Sequence, residues 1–527
     1  MIESTNPPRR DNTTPHLYGT VAGLVAGAVA VTTGMLIAGI VDVVSPIDAV
    51  GSEFIDRVPP WLKEQAIQWF GTNDKLALRS GIIVVLAIAA LVVGYLAVRR
   101  IIAGVIGIGL FGLIGAWAAW HRPGESVSAA LPSLLGAAIG IPLLMWLLHP
   151  RSPRGIEMPG PSRVPLGWDR RRFLVSTGSA AAAAVVAGGI AQVVERRRVQ
   201  SIRAAIPDTL PPAAGPTGSV SPTTISVPAD ATLSPVTPFI TPNGDFYRID
   251  TALSFPRINV SSWKVEIGGM VDKPLTITYD DLLARPQIER IVTLCCVSNE
   301  VGGEYISNAT FQGVMLSDLL NEAGVQSAAE QVFSTSLDGW TCGFPVAVAL
   351  DGRDAMIAVG MNGEALPLEH GFPARLVVPG LYGYISATKW LSKIELNRWD
   401  DAEGFWVPRG WSRDAPIKTQ SRIDVPRDGE KVKAGGAKIA GIAWAQHRGI
   451  DKVEVRINDG QWQAARLGND VTDDSWRQWV IDWDATPGKY TIQVRATDKN
   501  GETQTADVAP PAPDGATGYH TRTVKVV

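Results

Sequence analysis

The stretch Thr-Leu-Cys-Cys-Val-Ser-Asn at residues 293–299 is the most informative part of this chain. It continues an apolar run that begins at Ile291 and is typical of a buried strand. It also holds two of the three cysteines of the chain, the third being Cys342. Three cysteines are too few for a disulfide framework, and no Cys-x-x-Cys pair is present. The composition therefore excludes a disulfide scaffold and gives no sign of a zinc or iron–sulfur site.

Short β-like runs interrupted by helical stretches surround this segment. The strand-like runs are residues 263–267, 275–277, 291–294 and 375–378, and the helical stretches are 279–284 and 316–323. Thr278, followed by a tyrosine and two aspartates, offers a helix start. The pattern predicts an α+β domain, which we place at residues 242–410.

Three further segments of the same domain accompany the cysteine segment. They are Asn-Gly-Asp-Phe-Tyr-Arg at 243–248, the stretch 366–375 ending in His-Gly-Phe-Pro-Ala-Arg, and Val-Pro-Gly-Leu-Tyr-Gly-Tyr-Ile-Ser-Ala-Thr-Lys-Trp-Leu at 378–391. Each segment alone is a weak signal, but four of them in this order and spacing are a strong one. Together they resemble the sulfite oxidase family of molybdopterin enzymes, over roughly the last 290 residues. The resemblance predicts a sulfite-oxidase-type α+β catalytic domain.

The resemblance implies a molybdenum–molybdopterin cofactor whose metal is held by one cysteine. The family's cysteine stands three residues before an asparagine, which selects Cys296 over Cys295 because Asn299 follows it at that distance. A thiolate is a soft ligand suited to a metal that also carries a dithiolene. From the residues alone, Cys296 reads as an inert buried thiol, and Cys295 and Cys342 as core residues.

The other site residues are also implied by the resemblance. Cations and hydroxyl donors suit a pterin phosphate, and aromatic side chains suit the ring system. The implied cofactor-binding residues are Asn243, Phe246, Tyr247, Arg248, Thr335, His370, Arg375, Ser386, Thr388 and Lys389. Alternatives remain open for several of them. Arg375 would also serve as a structural salt-bridge arginine, His370 as an ordinary loop residue, and Phe246 and Tyr247 as core.

The first 199 residues read as a membrane domain with about five transmembrane helices. Apolar runs of about the 20 residues that a bilayer requires lie at 17–41, 80–98, 101–120, 127–148 and 173–194. Arginines lie before the first run, between the second and third, and between the fourth and fifth. These segments share one side of the membrane if all five runs cross it, and the positive-inside rule makes that side the cytoplasm. An odd number of crossings then places the catalytic domain outside the cytoplasm. The cluster Arg196-Arg197-Arg198 conflicts with the simple rule, because it follows the fifth run.

The fifth run opens with Asp169-Arg170-Arg171-Arg172-Phe173-Leu174, which resembles a twin-arginine export signal. An ordinary positive-inside flank is the alternative. Export by that route suits a domain that must fold around its cofactor before it crosses the membrane.

Two segments complete the organisation. Residues 200–241 are rich in Pro, Ser and Thr, which predicts an extended tether. Residues 411–527 contain short alternating runs separated by turn signals such as Asn458-Asp459-Gly460. These predict an immunoglobulin-like β-sandwich, which resembles the domain that mediates dimerisation in sulfite oxidases.

The function implied is a membrane-anchored oxidoreductase that performs oxygen-atom transfer on a small S-oxide, N-oxide or other sulfur substrate. Sulfite oxidases carry an arginine after the asparagine of the cysteine segment, whereas this chain has Glu300, a carboxylate that would repel sulfite. A second family arginine is missing from residues 384–386. The alternatives are a true sulfite dehydrogenase and a cofactor-free, membrane-tethered binding or scaffold protein of the same fold.

The partners expected are a small-molecule substrate, the lipid bilayer, a second copy of the chain, and an electron-transfer partner, either a protein or a quinone. No cytochrome domain or cluster motif supplies that last role within the chain. A net charge of −3 gives no basic face for nucleic acid.

Overall fold

Long apolar helices make up the N-terminal part of the chain. The computed structural model describes residues 14–59, 74–122, 125–149, 170–214, 220–221 and 227–527, together with Leu62, Gln65, Trp69 and Phe70. Its N-terminal helices are α1 (Thr14–Ile40), α2 (Pro46–Arg57), α3 (Asp74–Arg99), α4 (Ile101–Trp120), α5 (Leu131–Leu148) and α6 (Arg170–Ala204).

Five stretches are long and apolar enough to cross a membrane: His16–Ile40, Lys75–Arg99, Ile101–Trp120, Val127–Leu148 and Arg171–Ala204. The five predicted runs are confirmed as helices of that kind. Glycines allow α1 to approach its neighbours closely. A Cβ on Gly23 would lie 2.5 Å from the Cα of Gly94 in α3, and a Cβ on Gly136 in α5 would lie 2.3 Å from the carbonyl oxygen of Ala30. Close packing through small residues is how membrane helices associate without a hydrophobic driving force.

The chain divides into two compact units. The first holds Met1–Ser201 and the short segment Thr251–Arg257, and the second holds Ile202–Asp250 and Ile258–Val527. The sequence did not indicate that Thr251–Arg257 belongs with the helices. Arg198 of α6 donates to the carbonyl oxygens of Phe255 and Pro256, each at 3.2 Å, and also pairs with Glu195. Arg198, part of the cluster that conflicts with the positive-inside rule, is therefore engaged in protein contacts.

The sequence predicts residues 200–241 as a tether, and several of the described residues of that segment make contacts within the protein. α6 continues to Ala204 and takes in its first residues. β1 (Ala213–Ala214) pairs in parallel with the strand Gln287–Cys295, and Leu233 is 8% exposed. The side chain of Gln478 accepts from the Leu233 N–H at 2.6 Å and donates to the Thr237 carbonyl at 2.6 Å. These contacts hold the residues named here in place despite the composition of the segment.

The catalytic part of the second unit contains two sheets with short helices. The strands are β1, β2 (Val220–Ser221), β3 (Lys264–Gly269), β4 (Leu275–Thr278), β5 (Gln287–Cys295), β6 (Ile306–Met315), β7 (Gln331–Ser336), β8 (Thr341–Pro345), β9 (Met356–Met361), β10 (Glu364–Ala365), β11 (Arg375–Val377) and β12 (Leu391–Asn397). The helices are α7 (Tyr279–Ala284), α8 (Leu316–Ala323), α9 (Val346–Leu350) and α10 (Gly383–Ser386). The seven-stranded sheet has the order β10-β9-β6-β5-β1-β2 with β11 also on β9, and the five-stranded sheet has the order β4-β3-β12-β7-β8.

This part confirms the α+β expectation. Thr278 caps α7 through a reciprocal capping box with Asp281, as its sequence predicts. β5 and β6 are buried along most of their length, because neighbours cover both faces of their sheet. The hairpin that they form carries the cysteine segment at its loop end.

The C-terminal part consists of two further sheets. Their strands are β13 (Gln420–Val425), β14 (Lys431–Val432), β15 (Gly435–Trp444), β16 (Ile450–Ile457), β17 (Gln463–Ala464), β18 (Arg466–Leu467), β19 (Arg477–Ala485), β20 (Gly488–Asp498) and β21 (His520–Val526). The orders are β13-β15-β19-β18 and β14-β21-β20-β16-β17. Side chains of both sheets, such as Ile439 and Trp479 of one and Val453 and Ile492 of the other, share one apolar core. The alternation of the sequence thus yields the predicted strands.

Candidate cofactor site

The cysteine loop, residues 296–305, connects β5 to β6 directly after the pair Cys295–Ile306. The Cys296 N–H donates to the Tyr305 carbonyl at 2.9 Å. The Asn299 N–H donates back to the Cys296 carbonyl at 3.0 Å, and its side-chain Oδ1 accepts from the Tyr305 N–H at 2.8 Å. Asn299 therefore closes the loop around the cysteine, which gives a structural reason for the three-residue spacing.

Exposure distinguishes the three cysteines. Cys296 is 8% exposed, against 2% for Cys295 and 0% for Cys342. Burial raises the pKa of the Cys296 thiol, and the backbone N–H and hydroxyl of Ser298 lower it in part. Burial raises the pKa of Cys295 well above its ordinary range and that of Cys342 to about 11. Cys296 is thus the cysteine best placed to act as a thiolate ligand.

An aromatic pair lies beside this thiol. Tyr247 stacks on Phe246 with ring centroids 5.4 Å apart, and its N–H donates to the Ser307 hydroxyl at 3.1 Å. Burial raises the pKa of Tyr247, and the neighbouring Cys296 thiol raises it further. Phe246 is 5% exposed and meets Phe311 edge-on, so the core alternative applies to its ring. Tyr247 is the member of the pair that adjoins the cysteine.

His370 anchors the segment that carries this pair. Its Nε2 bonds the carbonyl oxygen of Asn243 at 2.8 Å, and its ring meets Phe246 edge-on at 5.4 Å. Burial lowers the pKa of His370 to about 4, so the ring is neutral near pH 7 and Nε2 is the donor. The Asn243 side chain bonds Glu364 at 2.5 Å and Asn362 at 2.8 Å. Both predicted residues therefore hold protein segments in place.

Arg375 is a buried cation without a carboxylate partner in the described part of the chain. It is 5% exposed, and its guanidinium donates only to the carbonyl oxygens of His370 at 3.2 Å and Leu376 at 3.4 Å. Burial lowers its pKa to about 10. The salt-bridge alternative for Arg375 therefore finds no support. Its spare N–H groups point to an anion that is supplied from outside the chain.

Lys389 and Arg248 share one carboxylate. Lys389 Nζ lies 2.9 Å from Asp250 Oδ2, and Arg248 Nε lies 2.8 Å from the same oxygen. Burial lowers the pKa of Lys389 to about 8, Asp250 raises it, and the nearby charge of Arg375 lowers it again. Asp250 is thus a carboxylate shared by Lys389 and Arg248, and Arg375 adds a positive charge near Lys389; these three cations are called the cation cluster below.

The predicted hydroxyl donors are used within the protein. Ser386 donates to the Tyr382 carbonyl at 3.0 Å, and Thr388 bonds the Ser334 hydroxyl at 2.7 Å. Thr335 follows Ser334 on β7, so its side chain lies on the opposite face of the strand. Thr388 and Thr335 therefore do not come together, and Ser334 is the β7 residue beside Thr388.

Sequence reasoning missed Asp250, Ser298 and Ser334. Asp250 follows Arg248 by two residues, and Ser298 lies within the cysteine segment, so proximity to motif residues was their only signal. Tyr382 was quoted in a motif without a role. It is buried, and its pKa is raised by burial and by the Cys295 and Cys296 thiols nearby. Gly383 follows it, and a Cβ there would lie 3.7 Å from both the Tyr247 hydroxyl and the Cys295 carbonyl.

The residues present fit a molybdenum–pterin cofactor. No group of three or more His, Cys, Asp or Glu side chains that could hold a metal occurs in the described ranges, so a metal here needs ligands from a cofactor besides Cys296. The Asn299 Nδ2, in the cysteine loop, is buried without an oxygen or nitrogen partner in the described structure. The buried Arg375 of the cation cluster, which has no described carboxylate partner, suits a phosphate.

Comparisons with known proteins address the same region. A family model described as "Oxidoreductase molybdopterin binding domain" matches residues 252–406. Mitochondrial sulfite oxidase of Homo sapiens is 31% identical over 320 residues, covering 52% of this chain and 58% of that protein. Sulfite oxidase of Gallus gallus is 30% identical over 322 residues, covering 52% of this chain and 69% of that protein. The oxidoreductase YuiH of Bacillus subtilis is 34% identical over 153 residues, covering 29% of this chain and 74% of that protein.

The matched region thus spans a little over half of the human protein's length. Among solved structures, the sulfane dehydrogenase SoxCD from Paracoccus pantotrophus shares 26% identity with a TM-score of 0.48, covering 56% of this chain and 83% of that one.

Proposed function

Because the chain belongs to the sulfite oxidase family of molybdopterin-dependent oxidoreductases, we propose that it is a membrane-anchored enzyme that transfers an oxygen atom to or from a small substrate. One observation carries the proposal: the most exposed cysteine, Cys296, and the buried cation Arg375, which has no described carboxylate partner, both lie near enough to Tyr247 to shift its pKa electrostatically. A thiol ligand and an anion-binding cation in the same neighbourhood suit a metal–pterin phosphate.

The molybdenum cofactor supplies two-electron oxygen-atom chemistry when bound. Cys296 would hold the metal as a thiolate, and Ser298 would stabilise its negative charge through two hydrogen bonds. Arg375 would bind the phosphate as a planar fork, and Lys389 would act as a point charge. Asp250 keeps Lys389 charged, because it raises the pKa that burial lowers. His370, in neutral form, would hold the Asn243 segment, and hence Tyr247, against the cofactor.

The substrate is a neutral or zwitterionic S-oxide or N-oxide, which is reduced. Glu300, directly after Asn299, is exposed and has no described ion pair. The pKa of Tyr384 is raised by burial and further by the carboxylates of Asp514 and Asp414, so carboxylates approach this tyrosine. Asp514 is paired with Lys418 at 2.9 Å, which leaves little net charge there. Neither Glu300 nor the surroundings of Tyr384 provide a positive clamp for a dianion.

Distant arginines do not provide that clamp either. Arg409 stacks on the Phe405 ring at 3.7 Å and donates to the Phe405 carbonyl at 2.5 Å. Arg413 pairs with Glu403 at 3.0 Å. Reduction of an S-oxide then consumes two electrons and two protons and releases a sulfide and water. The electrons come from a partner protein or a quinol, since the described chain offers no second redox centre.

The remaining parts of the proposal concern location and assembly. We propose that the five apolar helices anchor the chain in a membrane, with the catalytic unit outside the cytoplasm and twin-arginine export through Arg170, Arg171 and Arg172. We further propose that the two C-terminal sheets form an immunoglobulin-like sandwich that mediates a homodimer. The shared core of Ile439, Trp479, Val453 and Ile492 supports the sandwich.

Metal analysis and steady-state kinetics test this function. Purified protein should contain molybdenum in a 1:1 ratio and should reduce a dialkyl sulfoxide or a tertiary amine N-oxide with a reduced viologen as donor. Absence of molybdenum from correctly exported protein would leave the cofactor-free scaffold as the function. Rapid oxidation of micromolar sulfite with an artificial acceptor would instead establish a sulfite dehydrogenase and refute the oxide substrate.

A further inference from the structure

The C-terminal sheets contact the strand that leads into the cysteine loop. The Thr293 N–H donates to the Asp474 carbonyl at 2.9 Å, and the Thr293 hydroxyl accepts from the Trp476 N–H at 2.7 Å. The Thr293 carbonyl accepts from the Gln446 side chain at 3.1 Å. Three groups from the C-terminal part thus hold a single residue three positions before Cys296.

Two other C-terminal side chains contact the far end of the loop. Arg422 of β13 donates through Nη1 to the Gly303 carbonyl at 2.9 Å. The ring of His520, the first residue of β21, lies so close to Gly302 that a Cβ there would be 2.2 Å from its Nε2 and Cδ2. Gly302 has φ +79°, a conformation that glycine adopts without strain. Both side chains are buried, Arg422 at 8% and His520 at 5% exposure.

These two side chains are themselves fixed. Arg422 Nε pairs with Asp424 at 2.6 Å, and its Nη2 donates to the Thr237 hydroxyl at 3.2 Å. Thr237 in turn donates to Asp424 at 2.6 Å. His520 Nδ1 accepts from the Ile423 N–H at 2.8 Å. The guanidinium and the imidazole therefore present one geometry to the loop, as a supporting layer must if it is to hold a ligand in position.

Between these two clamped points the Cys296 N–H donates to Tyr305, and the Cys296 carbonyl accepts from the Asn299 N–H and, at 3.5 Å, from the Cys295 thiol. We propose that Arg422 and His520 are positioning residues, which fix the Gly302–Gly303 turn and through it the Cys296 thiol. The inference rests on the proposed function in one respect, the role of Cys296 as metal ligand. It assigns the C-terminal part a role in the geometry of the cofactor site, distinct from any role in self-association.

Hydrogen exchange in the cofactor-free whole chain tests the clamp without relying on activity. Arg422→Gln should accelerate amide exchange in the peptide spanning residues 296–305 roughly tenfold or more, the value expected for loss of a charged hydrogen bond. It should also accelerate alkylation of Cys296. Arg477→Gln is the matched control, because the Arg477 guanidinium likewise donates to backbone carbonyl oxygens, those of Gly468 at 2.8 Å and Ile450 at 2.8 Å, and neither residue lies in the loop. Exchange in the loop should not change in that control.

Two further variants keep the test decisive if Arg422→Gln unfolds. Arg422→Lys retains a donor and should restore part of the protection. His520→Asn retains an acceptor for the Ile423 N–H while removing the ring from Gly302, and it should loosen the same peptide. Equal loop exchange in wild type, Arg422→Lys and His520→Asn would overturn the proposal.

The loaded enzyme gives an independent spectroscopic readout. Arg422→Gln and His520→Asn should change the g-values of the Mo(V) electron paramagnetic resonance signal, whereas Arg477→Gln should leave them unchanged. Unchanged g-values in both loop variants would overturn the positioning of the thiol. A wild-type chain without molybdenum would refute the proposed function alone, because the exchange and alkylation experiments judge the clamp in its absence.

Discussion

Replacing Arg375 by methionine should stabilise the cofactor-free protein while abolishing molybdenum retention. The guanidinium is 5% exposed and has no carboxylate partner among the described residues. Burial lowers its pKa from 12.5 to about 10, a difference of 2.5 that corresponds to about 3 kcal/mol of unfavourable free energy for the charged form. Methionine has a similar length and no charge, so the substitution removes this cost.

The gain is reduced by the hydrogen bonds that are lost. Arg375 donates to the carbonyl oxygens of His370 at 3.2 Å and Leu376 at 3.4 Å. Such long bonds contribute roughly 0.5–1 kcal/mol each. The free energy of unfolding should therefore rise by about 1–2 kcal/mol, which corresponds to an increase of roughly 2–6 °C in the midpoint of thermal unfolding. The cofactor, in contrast, loses its phosphate contact, and molybdenum should fall below a tenth of the wild-type content.

The assay combines thermal unfolding of cofactor-free protein, followed by tryptophan fluorescence, with metal analysis of protein purified from cells that make the cofactor. Arg290→Met is the matched control. Arg290 lies on β5 and pairs with Asp354, so its loss leaves a carboxylate unpaired and should not stabilise the protein. If Arg375→Met lowers the unfolding midpoint as Arg290→Met does, and molybdenum is retained, the reasoning about an unpaired cation is refuted.

Three further predictions concern the metal ligand, the dependence of stability on pH, and export. Cys296→Ser should abolish molybdenum binding and turnover without unfolding the chain, whereas Cys295→Ser should have only a mild effect on both. The opposite result would identify Cys295 as the metal ligand. The free energy of unfolding should fall as the pH drops from about 6.5 to about 4. The reason is that His370 and His520 bind protons near pH 6.5 in the unfolded chain but only near pH 4 in the folded chain. The double variant His370→Gln, His520→Asn should flatten this pH dependence in denaturant titrations. Changing Arg170, Arg171 and Arg172 to lysine should leave the catalytic unit inaccessible to external protease while the first four spans insert, and unchanged accessibility would contradict the export signal.

The sequence predicted the apolar helices and most strands because their signals are local. An apolar run of membrane length and the alternation in the C-terminal part each determine their element without knowledge of neighbours. The contacts made by described residues of the segment 200–241 were not predicted for the same reason, since the composition that predicts a tether is also a local signal. The partners that fix it, such as Gln478 for Leu233, are distant in sequence. The assignment of Thr251–Arg257 to the unit of the N-terminal helices likewise depends on contacts between residues that are distant in sequence.

The candidate site shows the same limit at the level of side chains. Motif position selected Cys296, Arg375 and Lys389 as candidates; Lys389 pairs with Asp250, and Cys296 and Arg375 both shift the pKa of Tyr247. Motif position could not tell which hydroxyls face outward. Ser386 and Thr388 are 0% exposed and bonded within the protein, so they help to shape the pocket. Their roles as phosphate donors remain predictions, and the hydrogen bonds within the protein compete with that role.

Arg375 differs from other arginines of the second unit in a way that links folding to cofactor binding. Arg422 pairs with Asp424, Arg448 with Asp498, and Arg290 with Asp354. Arg375 is left to carbonyl oxygens, so the cost of burying its charge remains until an external anion arrives. A ligand that binds only the folded state adds its binding free energy to stability. The unit should therefore reach full stability only after loading, and a route that exports folded proteins would carry it across the membrane in that loaded state. Under the proposed export through Arg170, Arg171 and Arg172, the buried charge of Arg375 would favour insertion of the cofactor before the unit crosses the membrane.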